Sequence, residues 1–227
     1  MDDSLAPPGS TRRTTIHRLP EKAVPDRDTA YAILDAGLLA HVAYQGDDGP
    51  VLTPMAYARD RDRLLIHGSR ASRTMRALAS GVPAVVNVTL LDGVVLARSL
   101  FESSMHYRSV TAFGSAIELP DDEVDEALRV MSEHMLPGRY AEARHPAPQE
   151  LKATLTIAFP LDEIAVKVSD GEPLDTDEDR ADPRISALWA GVVPIESRWG
   201  APRADDATPV GTPSPDYIAS WTPPGKP

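Results

Sequence analysis

Leu38-Leu-Ala-His-Val-Ala-Tyr-Gln-Gly-Asp-Asp-Gly-Pro-Val-Leu-Thr-Pro-Met-Ala-Tyr-Ala58 decides the fold. Apolar and small residues alternate across 38–44, as in a buried strand. Turn formers crowd 45–50, and a second apolar run fills 51–58. Two such runs around a short polar cluster read as a β-hairpin. On the C-terminal side, Arg59-Asp-Arg-Asp-Arg63 reads as a turn and 64–67 as a third strand that Gly68 breaks. On the N-terminal side, Asp28 or Thr29 can cap a helix over 30–36, with Gly37 as its stop.

The same reading extends to both ends. Residues 1–12 form a flexible tail, and 14–25 an extended stretch. A helix over 71–80 has Met75, Leu78 and Ala79 as its apolar stripe and Gly81 at its C′ position. A valine-rich strand at 84–91 meets a tight turn at Asp92-Gly93 and resumes at 94–97. A long strand covers 107–119, and a helix with acids at its positive end covers 122–135. Late strands lie at 153–159 and 161–168, an acidic linker at 170–183, and a last apolar piece at 189–199. The expected organisation is one domain over 13–200, followed by a Pro-rich, poorly ordered tail at 201–227. Short strands joined by hairpin turns predict a mainly β fold with peripheral helices, an antiparallel barrel closed or nearly so. There are no βαβ units and no dinucleotide fingerprint.

Composition narrows the partners. The 227 residues carry a net charge of −11, which argues against a nucleic-acid groove. There is no cysteine, so disulfides, thiolate metal sites and cysteine nucleophiles are excluded. A cysteine-free chain whose first residues lack an apolar leader core predicts a cytoplasmic protein. No apolar run approaches the roughly 20 residues of a membrane helix.

Two stretches concentrate chemistry. In Ile66-His-Gly-Ser-Arg-Ala-Ser-Arg-Thr74 a strand ends and a helix begins, and Arg70, Arg73 and Arg76 cluster in an otherwise acidic chain. Helix-start amides, the hydroxyls of Ser69, Ser72 and Thr74, and arginine forks suit a phosphate. The alternative is a capped surface helix with solvated arginines. Ser103-Ser-Met-His-Tyr-Arg-Ser109 mixes hydroxyls, an imidazole, a phenol and a guanidinium. It suits a ring edge or a second anion, or is an ordinary polar loop. Of six histidines, His67 and His106 fall inside these stretches, where a neutral imidazole can serve as acid, base or haem ligand.

In their shared order, 51–60, 64–78, 86–99, 105–110, Phe113-Gly114, Pro137-Gly-Arg139, 150–154 and 189–194 resemble the pyridoxamine 5′-phosphate oxidase-like flavin-binding split barrels, in the actinobacterial branch near the nitroimidazole-resistance proteins. The resemblance implies a six-stranded antiparallel split β-barrel, a homodimer, and FMN at the subunit interface. It implies that Gly68, Ser69, Ser72 and Arg73, with Arg70 possible, hold the phosphate, and that Thr53, Pro54 and Met55 line the strand facing the isoalloxazine. His67, His106, Tyr107, Arg108 and Ser109 join the cofactor set, the last three from a neighbouring strand of the same or the partner chain, and Trp189 either closes the site or plugs the barrel. His67 and Tyr107 are the candidates to tune the ring or supply a proton. The oxidases place a lysine after the corner arginine; here that position is Ala71 or Thr74. The substrate-recognition segment of true pyridoxamine phosphate oxidases is not recognisable. The expected function is an FMN-dependent oxidoreductase on a small electron-poor molecule, without nucleic-acid or membrane partners. The alternative is a haem-binding split barrel for storage, degradation or haem-assisted nitro-compound detoxification, with His67 or His106 as axial ligand. A flavin carrier without turnover and a deazaflavin enzyme are further variants.

Overall fold

The computed structural model describes residues 5–221; the outermost parts of the two expected tails lie outside the described residues. Helix α1 (Arg27–Ala36) starts one turn before the sequence expectation. The cap is Asp26, neither Asp28 nor Thr29, and its carboxylate accepts the Thr29 amide at 2.8 Å. Gly37 stops the helix. A Cβ there would lie 2.5 Å from the Tyr57 hydroxyl and 2.7 Å from Val88, so chain and core approach too closely for a side chain.

The deciding hairpin forms as read. Strands β1 (Leu39–Gly46) and β2 (Gly49–Ala56) pair antiparallel from Leu39↔Ala56 to Gly46↔Gly49, around a turn of Asp47 and Asp48. The next expected turn shrinks. β3 (Ala58–Asp60) and β4 (Arg63–Ser69) meet across Arg61, whose φ is 54°. β4 does not break at Gly68, which pairs with Leu155. Glycine is there because a Cβ would stand 2.8 Å from the Met75 side chain.

Helix α2 (Arg73–Ala79) is shorter than the expected 71–80, because Ser72 is its cap and not an inner residue. Gly81, at φ +81°, ends it as expected. The expected turn at 92–93 is instead a β-bulge inside one continuous strand, β5 (Pro83–Leu96). Its partner β6 (Ser104–Ser115) starts and stops earlier than 107–119, and β7 (Ile117–Glu118) leaves for the other sheet. Helix α3 (Asp121–Met135) follows, then short helices α4 (Arg139–Glu142) and α5 (Pro148–Ala153). β8 (Thr154–Pro160), β9 (Glu163–Ser169) and β10 (Gly191–Pro194) complete the strands.

The antiparallel, mainly β architecture is as the sequence implied, divided between two sheets. One has the order β2-β1-β5-β6-β9 with β10 added on β5; the other is β3-β4-β8-β7. The main core lies between them. Val42, Val86, Val88, Val110 and Ala112 of the first sheet meet Leu64, Ile66, Leu155, Ile157 and Phe159 of the second. Each fully buried side chain of this size contributes about 1.5–3 kcal/mol. The outer face of the second sheet is covered by α3, with Leu65 and Ala158 against Ala127 and Met131. Buried on both faces, β8 reads as a near-continuous apolar run.

β5 and β6 extend beyond their neighbours as an arm. Arg98 at its tip pairs with Asp175, whose side chain is 3% exposed. At the N-terminus the Gly9 amide donates to Ile164 O at 2.9 Å. Near the C-terminus the Trp221 indole donates to Pro137 O at 2.8 Å. Among the described residues no helix is long and apolar enough to cross a membrane.

Candidate ligand-binding site

Alternation along β4 sets up the corner. Leu64, Ile66 and Gly68 face the main core, while Leu65, His67 and Ser69 face the other way. The chain then turns into α2, where the Ser72 hydroxyl accepts the Met75 amide at 3.4 Å. The amides of Arg73 and Thr74, in the first turn, have no acceptor among the described residues. With seven residues, α2 has a small dipole, so the guanidinium groups carry most of the anion-binding capacity here.

The three corner arginines divide. Arg70 is engaged: it donates to Glu118 at 2.8 Å and to the carbonyls of Lys152 and Thr154 at 3.3 Å, while its amide bonds Ala153 O at 2.9 Å. Arg73 and Arg76 have no carboxylate partner among the described residues. They line a cleft of about 740 Å³ between α2 and the β1–β2 turn, with Thr74, Asp47 and Asp48 also on its wall. Two arginines and two aspartates make its formal charge zero.

The other expected residues do not converge on this cleft. Thr53 and Met55 lie opposite Val42 and Ala40 and face the core, whereas Pro54 lies opposite His41 on the outer face. Strand alternation keeps the three side chains from sharing one surface. Tyr107 and Ser109 point outward beside Leu91 and Thr89; Arg108 points the other way. It grips Asp92 through two bonds of 2.8 Å, and that hydrogen-bonded carboxylate raises its pKa. Trp189 is 67% exposed and packs against Gly191.

The two candidate histidines are also apart. His67 lies half-buried under α3, its Nδ1 3.4 Å from the Met131 sulfur, and burial pushes its pKa below the ordinary value. Across the ladder is Thr156, whose buried hydroxyl has no partner among the described residues. The His106 Nε2 is 2.8 Å from Gly171 O.

A second concavity was not foreseen. One edge of β5 is covered by β1 at 84–87 and by β10 at 93–96. Between these stretches no strand among the described residues pairs with that edge, and a cavity of about 470 Å³ opens there. Leu38, Leu90, Leu91, Asp92 and Arg108 line it, joined by Arg198 and Trp199 from the segment after β10. Only Arg108 of these had been singled out. The aromatic that reaches a cavity is Trp199, not the expected Trp189. No local pattern marks the cavity, because it draws on four segments far apart in sequence. The cleft and the cavity lie at opposite ends of β1, six residues apart from Leu39 to Gln45, or roughly 20 Å at about 3.3 Å per residue.

Comparison with known proteins adds to this geometry. A family model described as pyridoxamine 5′-phosphate oxidase matches residues 26–168. The FAD and haem binding protein from Mycobacterium smegmatis is 42% identical, with a TM-score of 0.85 over 91% of this chain and 100% of that one. The flavocytochrome Anf3 from Azotobacter vinelandii is 34% identical, with a TM-score of 0.86 over 93% of this chain and 97% of that one. A putative 5-nitroimidazole antibiotic resistance protein from Bacteroides thetaiotaomicron shares the fold at 18% identity and a TM-score of 0.53, over 64% of this chain and 86% of that one. No curated protein matches the chain.

Proposed function

The chain belongs to the pyridoxamine 5′-phosphate oxidase family, and from that premise we propose that it is a cytoplasmic flavin-nucleotide-binding oxidoreductase acting on a small electron-poor molecule. The observation that carries this reading is the α2 corner. Two arginines without carboxylate partners line one cleft, and the first-turn amides of Arg73 and Thr74 beside it have no acceptor among the described residues. That donor set fits a nucleotide phosphate. Arg73 and Arg76 hold it, and the Thr74 hydroxyl adds a donor; Ser72 caps α2 and Arg70 holds the corner itself. The missing lysine and the two aspartates lower the cleft's affinity for an anion, which is why the phosphate must be gripped by geometry rather than by net charge. A bound flavin supplies electron transfer, and the chain supplies binding, orientation and electrostatics.

The site is completed by a second copy of the chain. In one chain Tyr107 and Ser109, on the outward face, do not line the cleft. That face carries Leu39, Leu52 and Leu91, at 51%, 65% and 48% exposure. A homodimer covers these apolar side chains and brings the tyrosine of one copy towards the flavin of the other. True pyridoxamine phosphate oxidation is not the proposed reaction, since the oxidase lysine is absent.

Likeness to an FAD and haem binding protein and to a flavocytochrome favours haem as an additional cofactor. His106 suits an axial ligand better than His67. Ligating histidines commonly donate their other ring N–H to a carbonyl, as the His106 Nε2 is placed to do towards Gly171 O. The His67 Nδ1 faces the Met131 sulfur instead.

The test is a titration of the apoprotein with FMN, FAD and riboflavin. Arg73→Ala removes a charged hydrogen bond of about 1.5–3 kcal/mol, so FMN and FAD weaken about ten- to a hundredfold while riboflavin is unchanged. Equal losses for all three sink the phosphate assignment. With added haemin, a Soret band is expected in His67→Ala and not in His106→Ala; the reverse pattern moves the ligand to His67.

A further inference from the structure

We propose that the cavity at the uncovered stretch of β5 is a second small-molecule site, for a flat aromatic carboxylate, separate from the flavin cleft. Its volume of about 470 Å³ lies within the range of ligand pockets, about 300–1,000 Å³. The lining is mostly apolar with a few polar groups, as is usual in ligand sites.

Charge selects the ligand's sign. The lining holds one aspartate and two arginines. Asp92 is already matched by Arg108 through two hydrogen bonds, whereas Arg198 has no carboxylate partner among the described residues. The lining is therefore one positive charge in excess. The acidic groups facing it are confined to Asp92. A guanidinium fork of this kind matches the two oxygens of a carboxylate.

Shape selects the ring. Leu38, Leu90, Leu91 and Trp199 all line the cavity. A planar π-system can stack on the indole and rest on aliphatic side chains. Between the β1 and β10 pairings the β5 backbone has no strand neighbour on this edge, so its polar groups can meet the ring's polar edge. No histidine, methionine or cysteine lines the cavity, so it offers none of the usual haem axial ligands.

The wall from 195–199 is a dedicated piece of chain. β10 docks on the distal half of β5, and the Ile195 amide bonds Asp92 O at 2.9 Å, which carries 195–199 across the opening. This segment lies beyond residues 26–168, the span of the family model. The wall therefore lies outside the stretch that the family model matches, and the inference does not depend on which flavin, if any, occupies the cleft.

The experiment uses the full chain with Trp189→Phe and Trp221→Phe, so that Trp199 is the remaining tryptophan of the three. The probes are 2-naphthoate and 2-naphthamide, equal in ring and different in charge. Naphthoate is expected to quench Trp199 and to bind at least about tenfold more tightly than the amide, the size of one charged hydrogen bond. Arg198→Gln should erase that preference and Arg198→Lys restore part of it. Arg198 is exposed, so folding should tolerate both changes, and calorimetry repeats the titration with the native tryptophans. Saturating FMN should leave naphthoate binding unchanged. Equal affinity for the two probes, an unchanged Arg198→Gln profile, or displacement by FMN each overturns the proposal.

Discussion

The α2 cleft and the β5 cavity are built on different principles. The cleft is open and polar, with two arginines facing two aspartates across a net charge of zero. Its arginines come from one short run, 73–76, and its aspartates from the β1–β2 turn. The cavity is smaller and mostly apolar, with a single excess positive charge, and its walls come from 36–39, 89–92, Arg108 and 195–199. A cleft of the first kind leaves part of its ligand uncovered and calls for a partner surface. A cavity of the second kind has its walls within one chain, although Leu39 and Leu91 of its lining also lie on the face that a dimer covers.

The largest expected effect separates these two cases. Leu52→Glu places a charge on the outward face of β2, 65% exposed in the single chain. If copies associate through that face, sedimentation should show a monomer, and FMN affinity should fall by about a hundredfold, some 2.7 kcal/mol. Naphthoate binding should survive. Loss of both ligands together would mean that the cavity, too, is shared between chains.

A smaller effect tests the division between neighbouring arginines. Arg70→Ala breaks a half-exposed ion pair with Glu118, at 47% and 43% side-chain exposure, so it should lower unfolding free energy by about 1 kcal/mol or less. Its FMN affinity should stay within about twofold of wild type, well below the effect of losing a charged hydrogen bond. Arg73→Ala should do the opposite, with an unchanged denaturation midpoint. An Arg70→Ala protein that is fully stable but cannot bind FMN would return Arg70 to the phosphate.

The smallest effect concerns pH. Burial depresses the His67 pKa below its ordinary 6.5, so the unfolded chain takes up this proton first as pH falls. The stability present above the unfolded value is lost below it. The urea midpoint of wild type should therefore drop further between pH 7.5 and 5.5 than that of His67→Gln. An equal drop in both proteins removes His67 from the acid-sensitive set.

How much of this was visible beforehand depends on the range of the interactions. The 38–58 hairpin was legible because alternation and turn residues are local properties. So was the end of α2 at Gly81, where a positive φ calls for glycine. Gly68 misled because the same residue type also serves close packing, here against Met75. Asp92-Gly93 misled because a bulge and a turn draw on the same residues. The free state of Arg73 and the engaged state of Arg70 were not legible at all, since Arg70's partners Glu118 and Thr154 are 48 and 84 positions away. Local chemistry proposed the corner and the order of family segments supported it. Neither had any means of marking a cavity walled by residues 36 and 199.

The bulge at Asp92 has one more consequence. Before it, even-numbered residues of β5 are buried, as Ala84, Val86 and Val88; after it, Gly93 and Val95 are. A strand counts in twos, and this extra residue is a shift by one. The barrel and the arm can therefore vary independently in sequence, each with its own parity, provided the count between them is kept. Deleting Asp92 would remove one carboxylate and also turn every later side chain of the arm to the opposite side.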